Sequence, residues 1–191
     1  MTRWVVVAAG MAVFLAFGIA FTGDTGPSAL DTAVAALVPE SVTLAWWLAG
    51  PTEPYVLLPV LGLLAGFCLL RRDWPGLALT LAAPALTVAV NTWLLKPLFG
   101  RYYGGHLAYP SGHTVSLVAV LTVLALLTAG RARAAVVVTG VLLTAGAGAG
   151  MIRLGFHYAT DVAGAAGFAV AAVTALAALP WPRRGPAPSA G

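Results

Sequence analysis

Charge is what this 191-residue chain has least of. Ten Lys and Arg and six Asp and Glu make up 8% of it, against 60% hydrophobic residues and a mean hydropathy of +0.93. An ordinary soluble domain carries about a quarter charged residues. That class is therefore excluded, and a multi-pass membrane protein is implied, in which each crossing helix needs about 20 apolar residues. Cysteine is nearly missing too. Cys68 stands alone in an apolar run, which rules out an intramolecular disulfide and a thiolate-based metal site. The cations give a net charge of +4 but are spread over several short loops and form no patch, so nucleic acid is not an expected partner. No small-residue cleavage site of the A-x-A kind follows the first apolar run, which reads as a retained helix.

What is present is a series of apolar segments. Six are expected to cross: Trp4–Phe21, Tyr55–Leu70, Pro75–Leu95, Thr114–Ala129, Ala134–Ile152 and Tyr158–Leu179. Between the first two, Leu30–Val38 and Val42–Leu48, with Trp46 and Trp47, read as helices at the interface, where tryptophan prefers to sit. The expected fold is an all-α, six-transmembrane-helix bundle with an interfacial helical segment after the first helix. Gly62-x-x-x-Gly66 and Gly146-x-x-x-Gly150 are spacings that allow close helix approach within such a bundle. Proline and small residues crowd Pro180–Gly191. This sets one membrane-embedded domain over 1–182 and a disordered cytoplasmic tail over 183–191.

Loop charges give the orientation. Arg3, Arg71 with Arg72, Arg131 with Arg133, and Arg183 with Arg184 fall at alternate ends of the six segments. The positive-inside rule puts these groups, and both termini, in the cytoplasm. Lys96, Arg101 and Arg153 fall on the other side, with all three histidines. Outer cations break the orientation rule, so they call for another explanation.

Nearly every polar residue of the outer side lies in three stretches: Lys96–His106, Tyr109–Thr114 and Arg153–Asp161. An acid at or inside a membrane helix is costly, which marks Asp161 as functional. His157 and Asp161 are four apart; on one helix they share a face, and the carboxylate can accept a hydrogen bond that fixes the imidazole tautomer. That is the nucleophile and orienter of a catalytic set. Pro110 and Ser111 suit a helix start, Gly112 permits close approach, and free N–H groups there face an anion. Lys96 and Arg101 add positive charge, and His113 is a second imidazole able to give a proton to a leaving group. The pattern points to phosphate.

These residues resemble the type 2 phosphatidic acid phosphatases, the lipid phosphate phosphatases. Their signature is K-x6-R-P, then P-S-G-H, then S-R-x5-H-x3-D over a six-helix membrane core. Lys96, Pro110-Ser111-Gly112-His113 and His157-x3-Asp161 match in order and loop position, and the resemblance covers most of the chain from Tyr55 onward. It implies a metal-free phosphohistidine mechanism. His157 would attack phosphorus, Asp161 orient it and His113 protonate the departing group, with Lys96, Arg101, Ser111 and Gly112 holding the phosphoryl oxygens. Two motif arginines are replaced: Tyr103-Gly104 and Gly150-Met151 stand where R-P and S-R are expected. Arg101 and Arg153, two residues away from each, are expected to substitute. In extended backbone a two-residue shift keeps the face and moves a side chain only about 6.6 Å. His106 reads as a plain loop residue.

The expected activity is phosphatase action on a lipid carrier at the outer leaflet of the plasma (inner) membrane. A polyprenyl phosphate, polyprenyl pyrophosphate or polyprenyl-linked sugar phosphate would be the substrate, with no cofactor and no metal. The rivals are phosphatidic acid or phosphatidylglycerol phosphate as substrate, and a non-catalytic binder or transporter of anionic lipid.

Overall fold

The structure is a computed structural model and describes residues 2–179, so the expected tail over 183–191 and Arg183 and Arg184 lie outside the described residues. The described chain is helical, apart from one two-stranded ribbon. Its elements are α1 Thr2–Ala20, α2 Ala29–Ala35, α3 Val42–Ala49, α4 Pro54–Leu70, α5 Trp74–Val90, a π-turn Asn91–Leu95, α6 Lys96–Phe99, the strands β1 Tyr102–Tyr103 and β2 His106–Leu107, then α7 Gly112–Leu127, α8 Gly130–Arg153 and α9 Ala159–Ala178. Their starts follow sequence chemistry. Ser28, Ser41, Asp73 and Ser111 cap α2, α3, α5 and α7 through their side-chain oxygens, and Pro54 and Pro75 sit in first turns, where a missing N–H costs nothing.

Five stretches are long and apolar enough to cross a membrane: Thr2–Ala20, Val42–Leu70, Trp74–Phe99, Gly130–Arg153 and Ala159–Ala178. This is a helical membrane protein. The sixth expected crossing, α7, has 16 residues and falls short of that length. At 1.5 Å per residue it covers about 24 Å, less than the ~30 Å of a hydrocarbon core. It is nevertheless the central helix, with Val115, Ala119 and Val123 fully buried.

Two cores flank α7. Leu79, Ala83, Val118, Val123, Ala169 and Val173 join α5, α7 and α9, whereas Ala49, Leu57, Leu117, Val120, Ala147 and Met151 join α3, α4, α7 and α8. Where apolar surface faces lipid, close backbone approach through small residues drives helix pairing. Gly10 of α1 and Gly167 of α9 do this reciprocally: a β-carbon on either would lie 2.6 Å from the other's carbonyl oxygen. Of the two expected glycine pairs, Gly150 packs against Ala45 and Ala49 of α3, and Gly146 against Leu48, while Gly62 and Gly66 have open space before them. The two short helices expected between the first two crossings form as α2 and α3, and α3 lies within the Val42–Leu70 stretch that is long and apolar enough to cross. Helix α3 turns Trp47 outward, at 78% exposure, and buries Ala45 and Ala49 against α8.

Candidate active site

The three polar stretches converge because three chain segments end at one place. The Trp74–Phe99 helix stops at Gly100, which takes the left-handed conformation (φ 56°) that ends helices at low cost in glycine. The short ribbon follows, pairing Tyr102 with Leu107 and Tyr103 with His106 around Gly104-Gly105. Helices α7 and α9 then present their N-termini side by side, joined by the Ser111 N–H donating to the Asp161 carbonyl at 3.3 Å. N-termini carry partial positive charge and unpaired N–H groups, so this is a place suited to an anion.

His113 lies in the first turn of α7 and His157 in the connection just before α9, with ring centroids 5.9 Å apart. Phe156 stacks on His113 at 6.1 Å. Lys96 lies beside the start of α7: a β-carbon at Gly112 would sit 3.9 Å from Lys96 Cε and 3.8 Å from Asn91 Nδ2. The Lys96 ammonium donates to the Leu107 carbonyl, leaving two of its three N–H bonds for a ligand. Ser111 is spent locally, its Oγ accepting from the Thr114 N–H at 3.3 Å and hydroxyl at 3.0 Å. Its contribution to an anion is therefore the helix start it builds. His157 is 4% exposed. Burial, with repulsion from Lys96, His113 and His106 adding to it, pushes its imidazole well below the ordinary value of 6.5, offset in part by the Ala108 backbone. A ring shifted in this direction is neutral at neutral pH.

His106 belongs to this cluster, which its reading as a plain loop residue missed. Its ring centroid is 6.1 Å from that of His157, and its Nε2 donates to the Phe156 carbonyl at 2.9 Å. The ribbon carries it there; its position in a glycine-flanked loop gave no sign of this. Among the described residues no group of three or more His, Cys, Asp or Glu is arranged to hold a metal ion.

Three expected details differ. His157 and Asp161 do not share a helix, since α9 begins only at Ala159 and Tyr158 has extended backbone. His157 Nδ1 faces Asp161 Oδ2 at 3.9 Å, beyond hydrogen-bond range, and that oxygen instead accepts from the Tyr158 N–H at 2.8 Å. Arg101 does not extend into the site. It is fully buried, with Nη1 donating to Asp161 (2.8 Å) and Thr160 (2.6 Å), Nη2 to Asp31 of α2 (2.9 Å), and the rings of Phe21 and Tyr158 each 4.5 Å away. Both terminal nitrogens are thus engaged by fixed protein groups. The same network fixes Asp31: burial pushes its carboxyl up, but hydrogen bonds from Thr160 and Ser28 together win and hold it below its ordinary value.

Arg153 is turned away. The α8 helix stays regular through it, so its side chain points about 200° from that of Met151. Met151, at the position expected to hold a motif arginine, is buried and contacts the Ser111 hydroxyl through sulfur at 3.9 Å. Arg153 is exposed and donates from Nε to the Glu40 carbonyl at 2.9 Å.

Beside His157 lies a cavity of about 440 Å³, lined also by Asp31, Tyr103, Ile152 and Ala159. Ile152 and Ala159 line in turn an apolar groove of about 1150 Å³ between α7, α8 and α9, which reaches Arg3 and Arg133 at the opposite end of the bundle. Comparison of the chain with family models, with curated proteins and with solved structures gives no match.

Proposed function

We propose that this protein is a membrane-embedded, metal-independent phosphatase acting on a lipid phosphate or pyrophosphate at the extracytoplasmic face. The observation that carries the reading is the pairing of His113 and His157, 5.9 Å apart, at the junction of two helix N-termini beside Lys96. The arrangement can bind an anion and supplies two imidazoles for different tasks. Neutral His157 attacks phosphorus through Nε2, since Nδ1 is turned toward Asp161. The P–O bond to the leaving group breaks as protonated His113 gives its proton to that oxygen; neutral His113 then takes a proton from the water that attacks phosphorus and breaks the P–N bond, which restores both imidazoles. Asp161 balances the positive charge that forms on His157 and draws within hydrogen-bonding range of it as the complex tightens. Arg101 acts by holding Asp161 in place.

Ile152 and Ala159 line both the His157 cavity and the apolar groove, and this proximity supports a substrate with a long hydrocarbon chain. A polyprenyl phosphate or pyrophosphate, or a polyprenyl-linked sugar phosphate, fits this best; phosphatidic acid and phosphatidylglycerol phosphate are the shorter-chained alternatives. A second reading, a non-catalytic binder of anionic headgroups, is favoured by the engagement of Arg101 in ion pairs. Turnover separates them. Purified protein in EDTA should release inorganic phosphate from at least one of these lipids and stop doing so in His157→Ala. Binding without release would favour the second reading, and release that needs an added divalent metal would defeat the mechanism.

A further inference from the structure

One buried polar side chain at the site has no task in the mechanism above. Asn91 is fully buried, and among the described residues neither its Oδ1 nor its Nδ2 has a hydrogen-bond partner. Burying an amide without partners costs about 1–3 kcal/mol in proteins, so such a group calls for an explanation. Its backbone is also unusual. Asn91 opens the π-turn, and the Lys96 N–H donates to the Asn91 carbonyl five residues back. In a regular α-helix residues five apart lie about 140° apart around the axis. Closing the turn with one extra residue brings Lys96 back over Asn91, so both side chains meet the start of α7. Single π-turns inside helices concentrate at functional positions.

A β-carbon at Gly112 would lie 3.8 Å from Asn91 Nδ2 and 3.9 Å from Lys96 Cε. The space left by that missing carbon is therefore bounded by the Lys96 side chain at Cε, a carboxamide and a helix N-terminus. We propose that Asn91 is a phosphoryl-binding residue, its Nδ2 donating to a non-bridging phosphate oxygen held jointly by Lys96 and the first N–H groups of α7. The inference rests on the phosphatase reading and extends it. It also accounts for how an anion is held when Arg101 is engaged elsewhere and Arg153 points away: a neutral donor and one lysine take the place of two arginines.

The test uses the full-length protein in detergent, with orthovanadate as the probe and phosphate release as the activity. Asn91→Leu removes an unpartnered amide from an apolar setting, so its melting temperature should equal or exceed that of the wild type. Its vanadate affinity and kcat/KM should both fall about tenfold or more, as for loss of a hydrogen bond to a charged group. Asn91→Gln, which keeps the donor, should recover part of both. Asn91→Asp places a negative charge against the anion and should abolish vanadate binding. A folded Asn91→Leu with unchanged vanadate affinity would overturn the inference while leaving the phosphatase reading intact. So would a lowered melting temperature with normal activity per folded molecule, which is the pattern of a purely structural residue. A wild-type protein that neither releases phosphate nor binds vanadate would remove both.

Discussion

The outer end of the bundle has two halves that treat polar groups in opposite ways. Around Arg101, two carboxylates, a threonine and two aromatic rings enclose one guanidinium; both terminal nitrogens are engaged and only Nε has no hydrogen-bond partner. Around Lys96 the accounting is left open: Asn91 has no partner at either amide atom, His157 Nδ1 has none within hydrogen-bond range, and two helix N-termini meet. The first half ties α2 to α9 across 70 residues of sequence between Asp31 and Arg101, and so builds the architecture. The second keeps unpaired donors in a buried place, where such groups are costly unless a ligand takes them. Charge alone does not mark the site, since the most buried cation of the pair is the structural one.

The two halves should respond differently to substitution. The largest effect is expected from His157→Ala, which should lower phosphate release by at least about 10⁴-fold, as loss of a nucleophile does, with the melting temperature held. Next is Arg101→Ala. Removing one partner of a buried ion-pair network leaves Asp31 and Asp161 uncompensated and should cost about 3–5 kcal/mol, read as lost yield and a lower melting temperature. If the variant instead stays as stable as the wild type and loses vanadate affinity, Arg101 belongs to the anion site and the contrast fails. Gly164→Ala places a β-carbon into the Tyr109 hydroxyl and should destabilise by about 1–3 kcal/mol, again read by thermal melting. Arg153→Ala, at an exposed position, should leave kcat/KM within about twofold, the size of a 0.5 kcal/mol surface effect. A tenfold loss would return Arg153 to the site.

A further effect concerns pH. His157 is held neutral when folded, and its pKa lies well below the 6.5 it regains on unfolding, so unfolding takes up a proton below that pH. Stability should therefore fall as pH drops from about 6.5 toward the folded-state value, by at most about 1.4 kcal/mol per unit. His157→Gln should melt with a shallower dependence over this range. Asp31, whose folded value is lowered, contributes stability that is lost only at pH below its ordinary 3.8, outside that window.

How much of this could be read from the sequence divides along the same line. Long uncharged runs are a sufficient signal for helices, so α1, α4, α5, α8 and α9 fall within a few residues of their expected places, and the two short helices form where the apolar pieces Leu30–Val38 and Val42–Leu48 were expected to. The convergence of Lys96, His113 and His157 followed from their common side of the bundle. What periodicity could not supply was local backbone state. His157 sits before its helix rather than on it, Arg153 stays on its helix when a break was expected, and the π-turn that aligns Asn91 with Lys96 leaves no mark in hydropathy. Nor could spacing show that Asp31 would capture Arg101. That is a contact between distant segments, decided by the docking of α2.

The most direct measurement is the chemical state of the protein during turnover. Full-length protein mixed with a lipid phosphate labelled in its phosphoryl group and quenched within milliseconds should carry a label that is stable in alkali and lost in acid, located on His157 and absent in His157→Ala. Phosphate release with no label on any histidine, or a label that His157→Ala retains, would contradict it.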